Sequence, residues 1–351
     1  MHAGCEESTS LPFYLFDYSV TELAFGIEGI INTLTTILTI SCIVFKSAAI
    51  SHPYKNLLLQ FVIWTFLFNF SITIVANYTV YYPFLAGHVT GPIHLLRMTS
   101  ETEIGIAFFL LGGNASATLR LLEYRHHSVI PNTHVLKKKG WLRYLIIGMT
   151  TFIFQVCIVL PIVFESDPKK TKAIILETWP EAPCSIQRTD TFFLTSYRLG
   201  FVHFYYWGLA TLFIAIGSAY IIHAHLALSE FEKVFSTTTK QLHRYLLKVL
   251  IFQISIPLAF LGVCLVVFAI GAVVVGYNSV LSSSIFFMIA LYCTLSNISI
   301  LVVNKPYAIF ICGLFKKRAS SVQAKETRMY NSQAATHFYK NGRRSTVSAL
   351  T

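Results

Sequence analysis

Seven apolar stretches, separated by short polar connectors, occupy most of this 351-residue chain. Each is long enough for an α-helix to cross a hydrocarbon layer about 30 Å thick, which takes about 20 residues. The predicted spans cover about residues 23–45, 56–78, 104–122, 142–164, 199–222, 246–275 and 280–303. None shows the period-two alternation of membrane β-strands. The pattern therefore predicts an all-α membrane protein, a bundle of seven transmembrane helices.

The composition agrees with a chain that lies in lipid. Hydrophobic residues make up 54% of it and charged residues 12%, whereas an ordinary soluble domain carries roughly 25% charged residues. Within and beside the spans, the sequence shows no Ser/His/Asp arrangement and no group of metal ligands at suitable spacing. We therefore expect neither an enzyme nor a bound cofactor or metal.

The positions of Lys and Arg predict the orientation, because basic residues near span ends are retained in the cytoplasm. No Lys or Arg precedes the first span, while alternate connectors and the segment after the seventh span carry many: Lys46, Lys55, Arg125, Lys137, Lys138, Lys139, Lys233, Lys240, Arg244, Lys305, Lys316, Lys317 and Arg318. The amino terminus is therefore predicted outside and the carboxyl terminus inside. This topology accounts for the net charge of +11, so we expect a lipid bilayer and no nucleic acid as a partner.

The chain is expected to form one receptor domain, residues 1–318, followed by a polar tail. Residues 319–351 are rich in Ser, Gln, Asn and Lys and are predicted to be a disordered cytosolic segment. In this tail Ser345 follows Arg343-Arg344, a pattern typical of basophilic kinase substrates. Ser345 is therefore a candidate phosphorylation site.

Two cysteines are predicted to face the oxidising outside, Cys5 before the first span and Cys184 in the second outer loop. They could form a disulfide that ties the amino-terminal arm to this loop. Two free thiols or an intermolecular bridge are equally consistent with the spacing, which does not show that the two residues meet.

Motifs at the inner ends of the spans suggest a conformational switch. Glu123, Tyr124 and Arg125 place a carboxylate and a guanidinium at the membrane boundary, where they can pair locally or engage a partner as helices move. The alternative is an arginine that reaches the lipid headgroups. Proline at 257 predicts a kink and hinge in the sixth span, and the seventh span ends in Asn304-Lys305-Pro306-Tyr307, where proline breaks the backbone ladder.

Together these motifs resemble the G-protein-coupled receptor plan, and more closely the nematode serpentine chemoreceptors of class H or the neighbouring class I. The resemblance is carried by Tyr-Pro-Phe-Leu-Ala-Gly at 82–87, Leu-Glu-Tyr-Arg-His at 122–126, Ser-Thr-Thr-Thr-Lys-Gln-Leu at 236–242 leading to Gln-Ile-Ser-Ile-Pro at 253–257, and Pro-Tyr at 306–307. Alanine at 308 departs from the arginine that often follows this Pro-Tyr pair.

The resemblance implies a chemosensory receptor that binds a small molecule from outside and signals to a heterotrimeric G protein. It also implies the plasma membrane, with sensory cilia and pairing of two receptor copies as further expectations. A ligand-gated channel or transporter of seven-helix type is the alternative. Such a protein would show pore-lining charge or paired broken helices in repeated halves, and neither is visible in the sequence.

A ligand from outside should meet polar groups among apolar walls in the outer halves of the helices. The candidates are Glu28, Glu103, Tyr197, Arg198, His203, Tyr205 and Tyr206. Glu28 could instead form a structural hydrogen bond with the seventh helix near Ser296 or Asn297. The aromatic run could be an interfacial belt, but it covers every face of the helix, so some rings must point inward. Such surroundings suit a small, mostly apolar molecule.

At the inner ends, basic residues form a rim suited to an acidic partner. His126, His127, Lys240 and Arg244 are the residues predicted to face a G protein. Anionic lipid is the alternative partner for such a rim. The coincidence with Glu123, Tyr124 and Arg125 and with the predicted hinge at Pro257 favours a G protein.

Overall fold

The computed structural model describes residues 18–46, 52–81, 86–89, 91–93, 98–130, 137, 140–163, 168–178, 192–193, 199–230, 279–319 and a few positions between 251 and 266. Several predictions fall on other parts of the chain and therefore lie outside the described residues. They are most of the sixth span, 246–275, the tail from 320 onward, and Cys5, Cys184, Tyr197, Arg198, Lys240, Arg244, Pro257 and Ser345.

Long helices dominate the described part of the chain. The first four long helices are α1 (Tyr18–Lys46), α2 (His52–Phe70), α3 (Ser100–Val129) and α4 (Gly140–Gln155). A π-helical turn, Ser71–Val75, continues α2, and a 3-10 turn, Cys157–Val159, with a short helical segment, Leu160–Val163, continues α4. After these come α5 (Pro168–Thr178), α6 (Leu199–Glu230), α7 (Ser279–Val303) and α8 (Lys305–Ala319).

Six helices among the described residues are long and apolar enough to cross a membrane. They are Glu22–Lys46, His52–Val75, Thr102–Val129, Gly140–Ile162, Phe204–Ala227 and Ser283–Val303. Each coincides with one of the predicted spans. The predicted span without a counterpart here is 246–275, which lies mostly outside the described residues.

The third helix is longer than its apolar stretch predicts. Thr99 caps its start, where the side-chain oxygen accepts the N–H of Thr102. At the other end Ile130 adopts an extended backbone, φ −66° and ψ 145°, as expected for a residue that precedes a proline, here Pro131. The helix thus runs seven residues beyond Leu122, where hydropathy alone ended the span, because its polar residues there find protein partners.

A small sheet lies in the connectors that follow the second and fourth spans. Strand β1 (Tyr78–Tyr81) pairs antiparallel with β2 (Ala86–Val89), with Tyr78 opposite Val89, and β2 pairs antiparallel with β3 (Phe192–Phe193). Asn77 enters β1 with φ 45°, in the left-handed region that asparagine tolerates better than most residues. The helical bundle matches the all-α prediction, and this sheet is an addition that the hydrophobic pattern did not reveal.

Within the first compact unit, Met1–Val303, α3 occupies the central place. It packs against α2, α4 and α6, while α1 packs against α2 and α7. Two adjacent glycines allow the close approach: a Cβ at Gly112 would collide with the backbone of Phe154 on α4, and one at Gly113 would lie 2.6 Å from Cδ2 of Trp64 on α2. Small residues at such crossings are typical of helix packing in lipid.

In α1 the buried side carries polar residues and the exposed side is apolar, which is the opposite of a helix on the surface of a soluble protein. Its buried side includes Glu28, Asn32 and Thr36, which follow one another every four residues along one face. Its exposed side is apolar and includes Leu23, Ile27, Ile30, Leu34 and Ile37. This arrangement suits a lipid surrounding, in which polar groups must be satisfied inside the protein.

The second compact unit, Asn304–Thr351, begins with α8. The carbonyl of Asn304 accepts the N–H groups of Tyr307 and Ala308 at 2.8 and 3.1 Å and so forms the first turn. Pro306 stands in that turn, where its missing N–H costs nothing. The predicted break after the seventh span is therefore present, whereas the predicted domain boundary after residue 318 stays a prediction.

Candidate functional site

Three groups of residues in the first unit match or adjoin the predicted functional residues. The Arg125 cluster consists of Tyr54, Glu123, Tyr124, Arg125 and Arg143. The second group is a polar network between α1, α2 and α7, and the third surrounds Glu103 at the opposite end of α3.

In the Arg125 cluster, Glu123 is paired with α4 and not with its neighbour in sequence. Its two carboxylate oxygens accept Nε and Nη2 of Arg143 at 2.6 and 3.0 Å. Such two-point pairing is the geometry that suits a guanidinium best. The carboxylate is buried and the arginine partly so. The Glu123 part of the predicted switch therefore links α3 to the first turn of α4.

Arg125 instead lies on an aromatic ring of α2. Its Cζ is 3.6 Å from the centroid of the Tyr54 ring, and Tyr124 stacks beside that ring with centroids 5.9 Å apart and planes at 25°. Tyr54 is buried, so the cation–π contact is shielded from solvent. Within the described part of the chain, the Arg125 Nε is buried without a hydrogen-bond partner. In this conformation the guanidinium thus contacts protein.

A pair of histidines joins α3 to α6 next to this cluster. Nε2 of His126 and Nδ1 of His223 are 2.8 Å apart, so one ring donates and the other accepts. The His126 ring also lies 5.3 Å from that of Tyr220. His126 is buried, whereas His127 is partly exposed. Of the four residues predicted to face a G protein, His126 and His127 are among the described residues, and of these two only His127 is partly exposed in this conformation.

The polar network places Glu28 among three helices. Its carboxylate accepts the hydroxyl of Thr294 at 2.7 Å and the amide of Asn69 at 3.1 and 3.2 Å. One turn along α1, Asn297 donates to Asn32 at 3.1 Å and to Thr36 at 2.8 Å. All six residues are buried. Glu28 thus has the structural bond to the seventh span that the sequence offered as an alternative, with Thr294 as the partner in place of Ser296 or Asn297.

Glu103 lies at the far end of α3 and is fully buried. The hydroxyl of Tyr78 donates to its backbone carbonyl at 2.8 Å, which fastens β1 to the first turns of α3. Burial raises the pKa of the Tyr78 phenol, and the nearby Glu103 carboxylate raises it further, so this hydroxyl remains a donor. Tyr78 and the next residue of α3, Ile104, belong to an apolar cluster that also contains Phe25, Val89, Ile93, Ala107, Phe108 and Phe287.

Two of the predicted aromatic ligand contacts bind α4 through their hydroxyl groups. Tyr205 donates to the carbonyl of Cys157 at 2.6 Å, and Tyr206 to that of Ile158 at 3.3 Å. Pro161 has no N–H for the Cys157 carbonyl, and the helix tightens there into the 3-10 turn. The ring of Tyr206 lies 5.2 Å from that of Phe108 on α3. His203 belongs to α6, and its side chain is outside the described part.

A family model decides the class of this protein. The model described as "Serpentine type 7TM GPCR chemoreceptor Srh" matches residues 19–317. The chain belongs to this family. The predicted resemblance to serpentine receptor class H is therefore confirmed, and with it a multi-pass membrane protein of the receptor class, built as a seven-transmembrane helix bundle.

The crystal structure of squid rhodopsin matches the Srh receptor with a TM-score of 0.49 and 11% sequence identity, over 86% of this chain and 86% of the rhodopsin chain. No curated protein sequence is significantly similar to the receptor.

The residues of the Srh receptor that its sequence did not reveal include Tyr54, Thr294, Arg143 and Arg120. Nothing in the sequence distinguishes Tyr54 or Thr294 as functional residues, because tyrosine is common at a membrane interface and threonine is common within a span. Arg143 and Arg120 could have been found, because both are charged residues within predicted spans, where charge is costly. Arg120 donates from Nη2 to the hydroxyl of Thr151 at 3.2 Å and so connects α3 to α4.

Proposed function

We propose that this Srh receptor lies in the plasma membrane with its amino terminus outside, binds a small, mostly apolar molecule near Glu103, and signals to a heterotrimeric G protein near Arg125. The excess of Lys and Arg at alternate ends of the spans supports the orientation. On this orientation, the Glu103 end of α3 is the outer end and the Arg125 end is the inner one. Sensory cilia and pairing of two copies stay predictions.

The observation that carries the proposal is the position of α3. This one continuous helix, Ser100–Val129, connects the apolar cluster around Glu103 with the Arg125 cluster, and it packs against α2, α4 and α6 on the way. Movement of its outer end relative to these neighbours changes the contacts at its inner end. A helix in this place can therefore couple a ligand outside to a partner inside.

The composition of the outer end supports the class of ligand. Tyr78, which donates to the Glu103 carbonyl, and Ile104, which follows Glu103 in sequence, belong to a cluster of aromatic and aliphatic side chains. Tyr205 and Tyr206 already use their hydroxyl groups on the end of the fourth span. A bound molecule would thus meet ring faces and aliphatic carbons, with Glu103 as a candidate polar contact. This favours small apolar molecules with at most one or two polar groups.

The inner end supplies the response. Two restraints hold it in this conformation, the pair between Glu123 and Arg143 and the stack of Arg125 on Tyr54. Both are local contacts that a shift of one helix can break. A ligand that binds more tightly to the shifted state increases the population of that state. The released guanidinium of Arg125 then becomes available to the G protein.

The test is a signalling assay in cells that express the receptor with a promiscuous G protein, screened against volatile and soluble compounds. Arg125→Ala should abolish the response to an active compound while the receptor still reaches the cell surface. Ser128→Ala is the matched control. Ser128 is exposed, and its hydroxyl donates to the backbone carbonyl of Arg125 at 2.7 Å, so its removal leaves the Arg125 guanidinium in place. A normal response from Arg125→Ala at equal surface density would contradict the proposal.

The orientation is tested separately with epitope tags. A tag at the amino terminus should bind antibody on intact cells, and a tag at the carboxyl terminus only after permeabilisation. Antibody access to the carboxyl-terminal tag on intact cells would exclude a G protein in the cytosol as the partner of the Arg125 cluster.

A further inference from the structure

Arg125 of the predicted switch is held in an unusual way. Its charge faces the ring of Tyr54, while the neighbouring carboxylate of Glu123 is occupied by Arg143. Within the described residues the Arg125 Nε has no hydrogen-bond partner. The aromatic face is therefore the contact that restrains the guanidinium in this conformation.

The surroundings of Tyr54 make this contact strong. The ring is 2% exposed, and a cation above an aromatic face is stabilised more when solvent is excluded. Tyr124 stacks beside the ring at 25° between planes and so limits its rotation. Tyr54 stands in the first turn of α2, so the contact joins the start of α2 to the end of α3.

We propose that Tyr54 is the restraint that keeps the receptor inactive, by holding the Arg125 guanidinium on its ring face until a ligand shifts α3. This inference rests on the proposed function, because it concerns how the Arg125 cluster is regulated. In this proposal the ring of Tyr54, and not the carboxylate of Glu123, is the local partner that holds Arg125. Removal of the ring should then raise signalling in the absence of ligand.

The size of the effect follows from the strength of a buried cation–π contact, which corresponds to about a five- to thirty-fold change in the ratio of two conformations. In the assay described above, Tyr54→Leu should therefore raise ligand-independent signalling per surface receptor by at least about fivefold. Tyr54→Phe keeps the ring face and should signal like the wild type. The pair Tyr54→Leu and Arg125→Ala should be silent, because the released group is then missing.

A fluorinated series separates this role from ordinary packing and replaces Tyr54→Leu if that variant does not reach the surface. Phenylalanine with one, two and three ring fluorines, introduced at position 54, keeps the shape of the ring while its face loses negative charge. Ligand-independent signalling should rise with each fluorine. A flat series at equal surface density, or equal basal signalling of Tyr54→Leu and Tyr54→Phe, overturns the inference.

These outcomes are distinguishable from a failure of the proposed function. If Arg125→Ala responds normally to an active compound, the assignment of Arg125 fails, and the inference about Tyr54 fails with it. If Arg125→Ala is silent and the Tyr54 variants do not differ, only the inference about Tyr54 is wrong.

Discussion

The polar network around Glu28 makes a quantitative prediction for Asn69. The Asn69 amide is fully buried and donates to both oxygens of Glu28 and to the carbonyl of Ala290 at 3.1 Å. Asn69→Leu keeps a side chain of similar size but removes these donors. Glu28 then retains Thr294 as its donor among the contacts described above.

The expected loss in the free energy of unfolding follows from two known ranges. Hydrogen bonds to charged groups contribute about 1.5–3 kcal/mol, whereas bonds between membrane helices average about 0.6 kcal/mol with a maximum of about 1.7. Because a buried carboxyl group loses a donor to both of its oxygens, we expect a loss of about 1–3 kcal/mol. For a protein of 351 residues that corresponds to a lowering of Tm by about 1.5–4 °C.

Buried cysteines provide the assay. Cys42 and Cys293 are fully buried, so they react with a thiol-specific fluorophore when the protein unfolds. A background with serine at positions 5, 184 and 312 removes the two thiols predicted to lie outside and the Cys312 thiol, which is exposed in the folded state. Ser41→Ala is the control, since the Ser41 hydroxyl binds the carbonyl of Ile37 on the exposed side of α1, and its Tm should match that of the background.

The result that refutes this reasoning is a Tm of Asn69→Leu within about 0.7 °C of the control, which corresponds to about half a kcal/mol or less. A double-mutant cycle with Thr294→Val adds a second check. The two substitutions act on one carboxyl group, so their effects should not add, with a coupling of at least about 0.5 kcal/mol. Simple additivity would show that the two donors act independently.

Two further predictions concern the backbone. Gly112→Ala places a methyl group against the backbone of Phe154 and should reduce delivery of the receptor to the cell surface. Gly148→Ala is the control and should leave delivery unchanged, because a Cβ there meets nothing within 4 Å. Equal delivery of the two variants would mean that α3 and α4 do not need this close approach. Asn77→Val should lower stability by about 1–2 kcal/mol, because a branched residue is strained at φ 45°, and Asn77→Gly should not. Both variants at position 77 remove the same Asn-X-Thr sequon, so a difference in Tm between them measures the backbone alone.

Hydropathy predicted the existence of the helices well and their ends less well. Six predicted spans have helical counterparts among the described residues. The length of an apolar run indicates how much of a helix lies in the hydrocarbon layer, but it does not indicate where the helix ends. The end of α3 was wrong by seven residues because Glu123 and His126 remain helical while they bind α4 and α6. Polar residues end an apolar run, but they end a helix only when they lack partners on its neighbours.

Pairing between helices was harder to predict than the helices themselves. The sequence indicated that Glu28 needs a partner and that the seventh helix could supply it, yet a helix rotated by one residue presents a different face, and the partner is Thr294. It also placed Arg125 correctly as a residue of interest but could not show the ring of Tyr54. That contact depends on how α2 and α3 cross, which a single sequence does not encode in any local pattern.

The buried face of α1 has a consequence for biosynthesis. Glu28 leaves the ribosome 41 residues ahead of Asn69 and 266 residues ahead of Thr294. An unpartnered carboxylate in a bilayer costs up to about 2.5–3.5 kcal/mol, so α1 is less stable in the membrane before its partners have been made. Asn69 is available once α2 has been made, whereas Thr294 is available only with α7. We therefore expect the contacts of α1, the first helix to be translated, to be among the last to be completed.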